Sequence, residues 1–73
     1  MEDNKNMYHI EVWYDQYYKS WVVSYYDKDS NIVDDSYYTK YKNTAIESAL
    51  AFKPPHIAVE VFDMCGNYQE TLY

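Results

Sequence analysis

The residues best suited to hold a cation form one short run, Asp27-Lys28-Asp29-Ser30-Asn31, which opens like a calcium-binding loop. An EF-hand loop also needs glycine at its sixth position and a bidentate glutamate at its twelfth. Ile32 and Tyr38 stand at those two positions, and no helical pattern flanks the run. The run is therefore interpreted as a hairpin turn rich in turn-forming residues.

Other metal-binding and catalytic patterns are also missing. His9, His56 and Cys65 could bind zinc by type, but they are scattered along the chain and lack ligand spacing. Cys65 has no base near it in sequence, and no serine lies in a nucleophile-elbow context. A single glycine cannot make a glycine-rich phosphate loop. We therefore expect no enzymatic activity, no metal site and no cofactor.

The charge of the chain favours a basic partner. Twelve carboxylates face six lysines, the chain has no arginine, and the formal net charge is −6. Such a field repels phosphate, and the absence of arginine removes the usual bidentate contact to phosphate and guanine. We therefore expect no direct binding to nucleic acid, and instead a larger basic protein, such as a nucleic-acid-processing or defence enzyme.

Tyrosine supplies the strongest binding signal. The 73 residues include eleven tyrosines, several of them in doublets: Tyr17-Tyr18, Tyr25-Tyr26 and Tyr37-Tyr38. Neighbours in a strand point to opposite faces, so the strand doublets place one ring on each side of the sheet. Tyrosine and tryptophan are enriched at interface hot spots, and carboxylates beside them would steer a basic surface. The alternative is a solvated sheet face with wet hydroxyls.

From this pattern we predict one partner-binding surface. Its residues are Trp13, Tyr17, Tyr18, Tyr26, Asp27, Asp29, Asp34, Asp35 and Tyr37.

Hydrophobic periodicity predicts a single α+β domain over residues 7–73, after a disordered arm at residues 1–6. Alternation of period two predicts strands. The predicted strands are Met7–Tyr14, Ser20–Tyr26, Ile32–Tyr38, His56–Phe62 and Tyr68–Tyr73. With one helix before the fourth strand, the order is β-β-β-α-β-β, and we expect an antiparallel sheet with the helix packed on one face.

The helix has two candidate starts. Thr44 and Glu47 match a capping box, and Thr39 is an alternative N-cap one turn earlier. The apolar stripe consists of Ala45, Ile46, Ala49, Leu50 and Phe52. Pro54-Pro55 ends the helix.

Several segments give the chain a family resemblance. These segments are Trp21-Val22-Val23, Tyr38-Thr39-Lys40, Ala45-Ile46-Glu47-Ser48-Ala49, Val61-Phe62-Asp63 and Gly66-Asn67-Tyr68-Gln69-Glu70. Together they resemble small bacterial and phage domains of unknown function, from Tyr8 onward. The resemblance implies the β-β-β-α-β-β fold and no activity.

Two functions remain open at this point. The first is an inhibitor or adaptor of the phage or mobile-element anti-defence type, including DNA mimics and anti-CRISPR proteins, that occupies a nucleic-acid-binding surface. The second is an oligomeric module that clamps a small nucleotide-like molecule with aromatic rings, and the small size makes a homodimer reasonable. Since Cys65 is the lone cysteine and the N-terminus lacks an apolar segment, we expect the cytoplasm, that of the host for a phage protein, and no membrane association.

Overall fold

The computed structural model describes residues 8–33 and 37–73, and these form five strands and one helix. In chain order the elements are β1 His9–Asp15, β2 Ser20–Tyr26, β3 Tyr37–Thr39, α1 Lys42–Phe52, β4 Ala58–Phe62 and β5 Tyr68–Leu72. The α+β class, with one helix in the described part of the chain, agrees with the prediction. Within the predicted third strand, Ile32 makes an isolated bridge to Tyr26 and Tyr37 begins β3, while residues 34–36 lie outside the described residues. The predicted arm lies outside the described residues.

The sheet is mixed, so the prediction of a purely antiparallel sheet is wrong. Its strand order is β3-β2-β1-β4-β5, and β1 pairs with β4 in parallel while the other neighbours are antiparallel. The physical reason is the path of the helix. The chain leaves the edge strand β3, crosses the sheet as α1 and returns beside β1, so β4 runs in the same direction as β3 and β1.

The core lies between α1 and one face of the sheet. Alternate residues of three strands point to the helix and are buried: Ile10, Val12, Trp21, Val23, Val59 and Val61. The helix meets them through Ala45 and Ala49, whose small side chains allow close approach. Each buried valine or isoleucine contributes about 1.5–3 kcal/mol of transfer free energy. Tyr14 and Tyr25 pack against the margin of this core.

The helix differs from the prediction at its start and in its stripe. It begins at Lys42 with Tyr41 as an extended N-cap that makes no side-chain capping bond, so neither Thr39 nor Thr44 is the N-cap. Thr39 instead accepts a hydrogen bond from the Tyr41 amide at 3.3 Å. Phe52 is 76% exposed, so the buried stripe is narrower than expected. No helix among the described residues is long and apolar enough to span a membrane.

Aspartates close the tight turns between antiparallel segments. Asp15 accepts the amides of Tyr17 and Tyr18 at 2.8 and 3.1 Å. Asp27 accepts the amides of Asp29 and Asn31 at 2.8 and 2.9 Å. The Asp27 run is therefore a turn whose carboxylate is engaged by its own backbone, as the sequence indicated.

The turn between β4 and β5 follows the same plan. Asp63 accepts the amides of Cys65 and Asn67 at 2.9 and 2.8 Å. The hydrogen bond from the Asn67 amide, with a smaller effect from that of Cys65, holds the pKa of the Asp63 carboxyl below its ordinary value, although desolvation opposes this. Gly66 has φ of +90°, which a residue with a Cβ adopts only under strain.

Candidate functional site

The face of the sheet opposite α1 carries the candidate site, and we call it the open face. Strand register places most of its side chains in three rows that run across the strands, with the pair Asp15–Ser20 beyond them at the β1–β2 turn. The first row contains Tyr38, Val22, Trp13, Phe62 and Tyr68. The second contains Ser24, Glu11, Glu60 and Thr71. The third contains Tyr26, His9 and Ala58.

The first row, which we call the aromatic row, forms a second apolar layer on the side of the sheet opposite α1. Val22 is fully buried although it points away from α1, because Trp13 and Tyr38 flank it on the neighbouring strands. Phe62 follows Val61 in the parallel register, one step on from the pair Val12–Val61, which places it in line with Trp13. Phe62 also meets Tyr68 edge-to-face, with ring centroids 6.1 Å apart.

Exposed tyrosines extend the aromatic row at the β1–β2 turn. Tyr17 and Tyr18 meet edge-to-face at 4.9 Å, and Tyr18 meets Tyr38 in the same way at 5.7 Å. These rings are 84%, 61% and 48% exposed in the order Tyr17, Tyr18, Tyr38. Tyr18, Tyr38 and Ser20 line an open depression of about 370 Å³. We call Tyr17, Tyr18 and Tyr38 the tyrosine cluster; it presents apolar area that α1 does not cover.

The second row places two carboxylates side by side at the centre of the open face. Glu11 on β1 and Glu60 on β4 are direct partners in the parallel register. His9, two residues before Glu11, shares a 3.1 Å hydrogen bond with it through Nε2. Ligand atoms of His9, Glu11 and Glu60 all lie within 4.8 Å of one another, and the three residues are half-buried. None of the five strands contains a lysine.

The predicted site residues divide into two groups at opposite ends of β2. Tyr17 and Tyr18 lie before the strand, while Tyr26, Asp27 and Asp29 lie at its far end, roughly 20 Å away at the usual rise per residue. Tyr26 is half-buried and stacks on His9 with centroids 5.1 Å apart. The structure therefore does not bring all of these residues into one patch.

The remaining predicted residues have different placements. Trp13 is on the open face, half-buried, and donates its indole N–H to Ser24 Oγ at 2.9 Å. Tyr37 pairs with Val23 and therefore points to the helix side, whereas Tyr38 pairs with Val22 on the open face. Asp34 and Asp35 lie outside the described residues.

Sequence reasoning missed the histidine and the two glutamates as a group. The alternation in β1 already placed His9 and Glu11 on one face. Glu60 joins them only through the parallel pairing of β1 with β4, which the sequence did not reveal. Tyr38 was identifiable in the sequence as one of the two rings of its doublet, but strand parity alone does not say which ring faces the helix.

The chain matches no protein-family model, no curated protein and no solved structure. The case for function therefore rests on the open face itself.

Proposed function

We propose that this chain is a small acidic binding protein that docks its open face onto a larger basic protein. The observation that supports this most is the tyrosine cluster, in which the Tyr18 ring meets those of Tyr17 and Tyr38 edge-to-face at the β1–β2 end of the open face. Packed tyrosines offer large contact area while losing little side-chain entropy on binding, which is why they dominate interface hot spots.

Charge supports a basic partner. The net charge is −6, and Glu11 and Glu60 lie beside the aromatic row with no lysine on any strand to neutralise them. Asp15 adds a carboxylate at the base of the turn that carries Tyr17 and Tyr18. Aromatic anchors next to carboxylates fit a surface rich in lysine and arginine, where the acids raise the association rate and the rings slow dissociation.

The finer proposal is inhibition. A basic surface that accepts this face is of the kind that nucleic-acid-processing enzymes use to hold phosphate, so bound protein would exclude the nucleic acid. Small acidic phage and mobile-element proteins that block host defence enzymes work in this style, and the resemblance to small bacterial and phage domains is compatible with that role.

The experiment that tests this function is capture from a lysate of the source cell or its host with the tagged chain as bait. We expect a basic nucleic-acid-binding protein that is released between about 0.05 M and about 0.5 M salt, since screening shortens electrostatic attraction. Added DNA or RNA should compete with the bait for this protein. The proposal would be contradicted if the bait captured no protein. It would also be contradicted if neither salt nor added nucleic acid released the captured protein.

A second candidate function is favoured by the depression between Tyr18 and Tyr38. Two tyrosine rings beside a small serine could clamp a planar, nucleotide-like molecule, in particular where a second copy closes the open side. Native mass spectrometry distinguishes the two functions. A dimer that carries a small molecule supports the clamp, whereas a bare monomer at micromolar concentration contradicts it.

A further inference from the structure

We propose that His9, Glu11 and Glu60 form a binding site for one divalent first-row transition-metal ion. The proposal is tested on the isolated chain, without a partner, and a bound cation would offset the negative charge that Glu11 and Glu60 offer to a basic partner. The sequence alone led us to expect no metal site. The parallel β1–β4 register, which the sequence did not reveal, places Glu60 next to His9 and Glu11.

The first argument is the donor set and its spacing. One imidazole nitrogen and two carboxylate oxygens lie within 4.8 Å of one another. Zinc binds such donors at about 2.0–2.2 Å, which puts ligand atoms roughly 3–4 Å apart around the ion. Small rotations of the two glutamate side chains close the remaining gap. Imidazole favours zinc and its neighbours over magnesium and calcium, which prefer oxygen alone.

The second argument is rigidity. All three ligands lie on two adjacent inner strands: β1, which also pairs with β2, and β4, which also pairs with β5. The His9 ring is held by its stack on Tyr26 and by an edge contact with Tyr8, whose centroid lies 5.8 Å away. Ligands on paired strands hold a site more accurately than ligands on loops do.

The third argument is electrostatic. Glu11 and Glu60 are like charges directly opposite each other, an arrangement that destabilises a sheet unless it is compensated. The Glu11 side chain retains only 27% of its exposure and Glu60 is half-buried, so water screens their repulsion less than it would at a fully exposed site. The Glu60 side chain makes no hydrogen bond or ion pair with another residue in the described ranges. A bound cation would relieve this repulsion and leave coordination positions open on the solvent side.

The test is calorimetric titration of the full chain with Zn²⁺. The chain carries Cys65→Ser, because an exposed thiol binds zinc by itself and would add a second site. We expect the Cys65→Ser chain to bind zinc saturably, with one ion per chain. Glu60→Gln should weaken binding at least about tenfold. The matched control Glu47→Gln removes the same charge from the exposed side of α1 and should change affinity by no more than about twofold.

A substitute variant and a second readout complete the test. If Glu60→Gln loses its fold by circular dichroism, His9→Gln takes its place with the same expectation. In the intact chain, Zn²⁺ should shift the ring ¹⁵N resonances of His9 and leave those of His56 in place. Absence of saturable binding, loss of binding in Cys65→Ser, or equal weakening by Glu47→Gln and Glu60→Gln would each overturn the proposal.

Discussion

Trp13 donates its indole N–H to the hydroxyl oxygen of Ser24 at 2.9 Å, diagonally across β1 and β2 on the open face. Ser24 is buried there although it lies on the face opposite α1. The Trp13 ring therefore covers Val22 and Ser24 and stabilises the sheet. We expect the exposed tyrosines, rather than Trp13, to contact a partner. On the open face, Trp13 and Ser24 therefore have a structural role, and the tyrosine cluster has the proposed binding role.

A double-mutant cycle with Trp13→Phe and Ser24→Ala should measure this hydrogen bond. We expect each single variant to lower the free energy of unfolding and the pair to show a coupling of about 1 kcal/mol, the net worth of one buried hydrogen bond. Urea unfolding followed by circular dichroism supplies the four free energies. Strict additivity would show that the Trp13 indole does not depend on Ser24.

Replacing Asp15 by alanine should loosen the turn that carries Tyr17 and Tyr18. The carboxylate accepts both of their amides, so its loss should cost about 1 kcal/mol of stability. Asp15→Asn keeps an acceptor oxygen without the charge and is the matched control. Urea unfolding measures both variants, and we expect Asn to lose less than half of what Ala loses. Equal losses would mean that charge rather than turn geometry matters here.

The Asp63 turn predicts a particular pH dependence. The folded-state pKa of Asp63 is lowered from 3.8, so its stabilising effect is present above the unfolded pKa and is lost as pH falls through the folded value. Asp63→Ala should therefore be less stable than the natural chain at neutral pH, and the difference should shrink in acid. Thermal unfolding of both proteins between about pH 6 and about pH 2 measures it. A difference that stays constant over that range would contradict the assignment.

Alternation in the sequence predicted that β1 and β2 are strands, because burial on one side of a sheet forces period two. The same alternation cannot distinguish parallel from antiparallel neighbours. Nothing in the residues of β4 says whether it returns beside β3 or beside β1. That choice is made by the path of α1, and it decides whether Glu60 meets Glu11.

The helix start was mispredicted for a local reason. Thr44 and Glu47 have the spacing of a capping box, but Lys42 already lies in the helix, with its ammonium group over the Trp21 ring and donating a hydrogen bond to Gln69. The helix therefore begins at Lys42, where these tertiary contacts are made, and not at the capping box that starts with Thr44. Tertiary context commonly overrides such local preferences.

The central claim is that the tyrosine cluster is the docking surface, and paired surface variants test it most directly. The measurement is the dissociation constant for the captured basic partner with Tyr18→Ser/Tyr38→Ser and with Tyr41→Ser/Phe52→Ser. The second pair removes two exposed aromatic rings from α1 and its N-cap and serves as the control. We predict at least about thirtyfold weaker binding for the open-face pair and no more than about threefold for the control pair. Equal effects, or a larger effect of the control pair, would contradict the assignment of the open face as the docking surface.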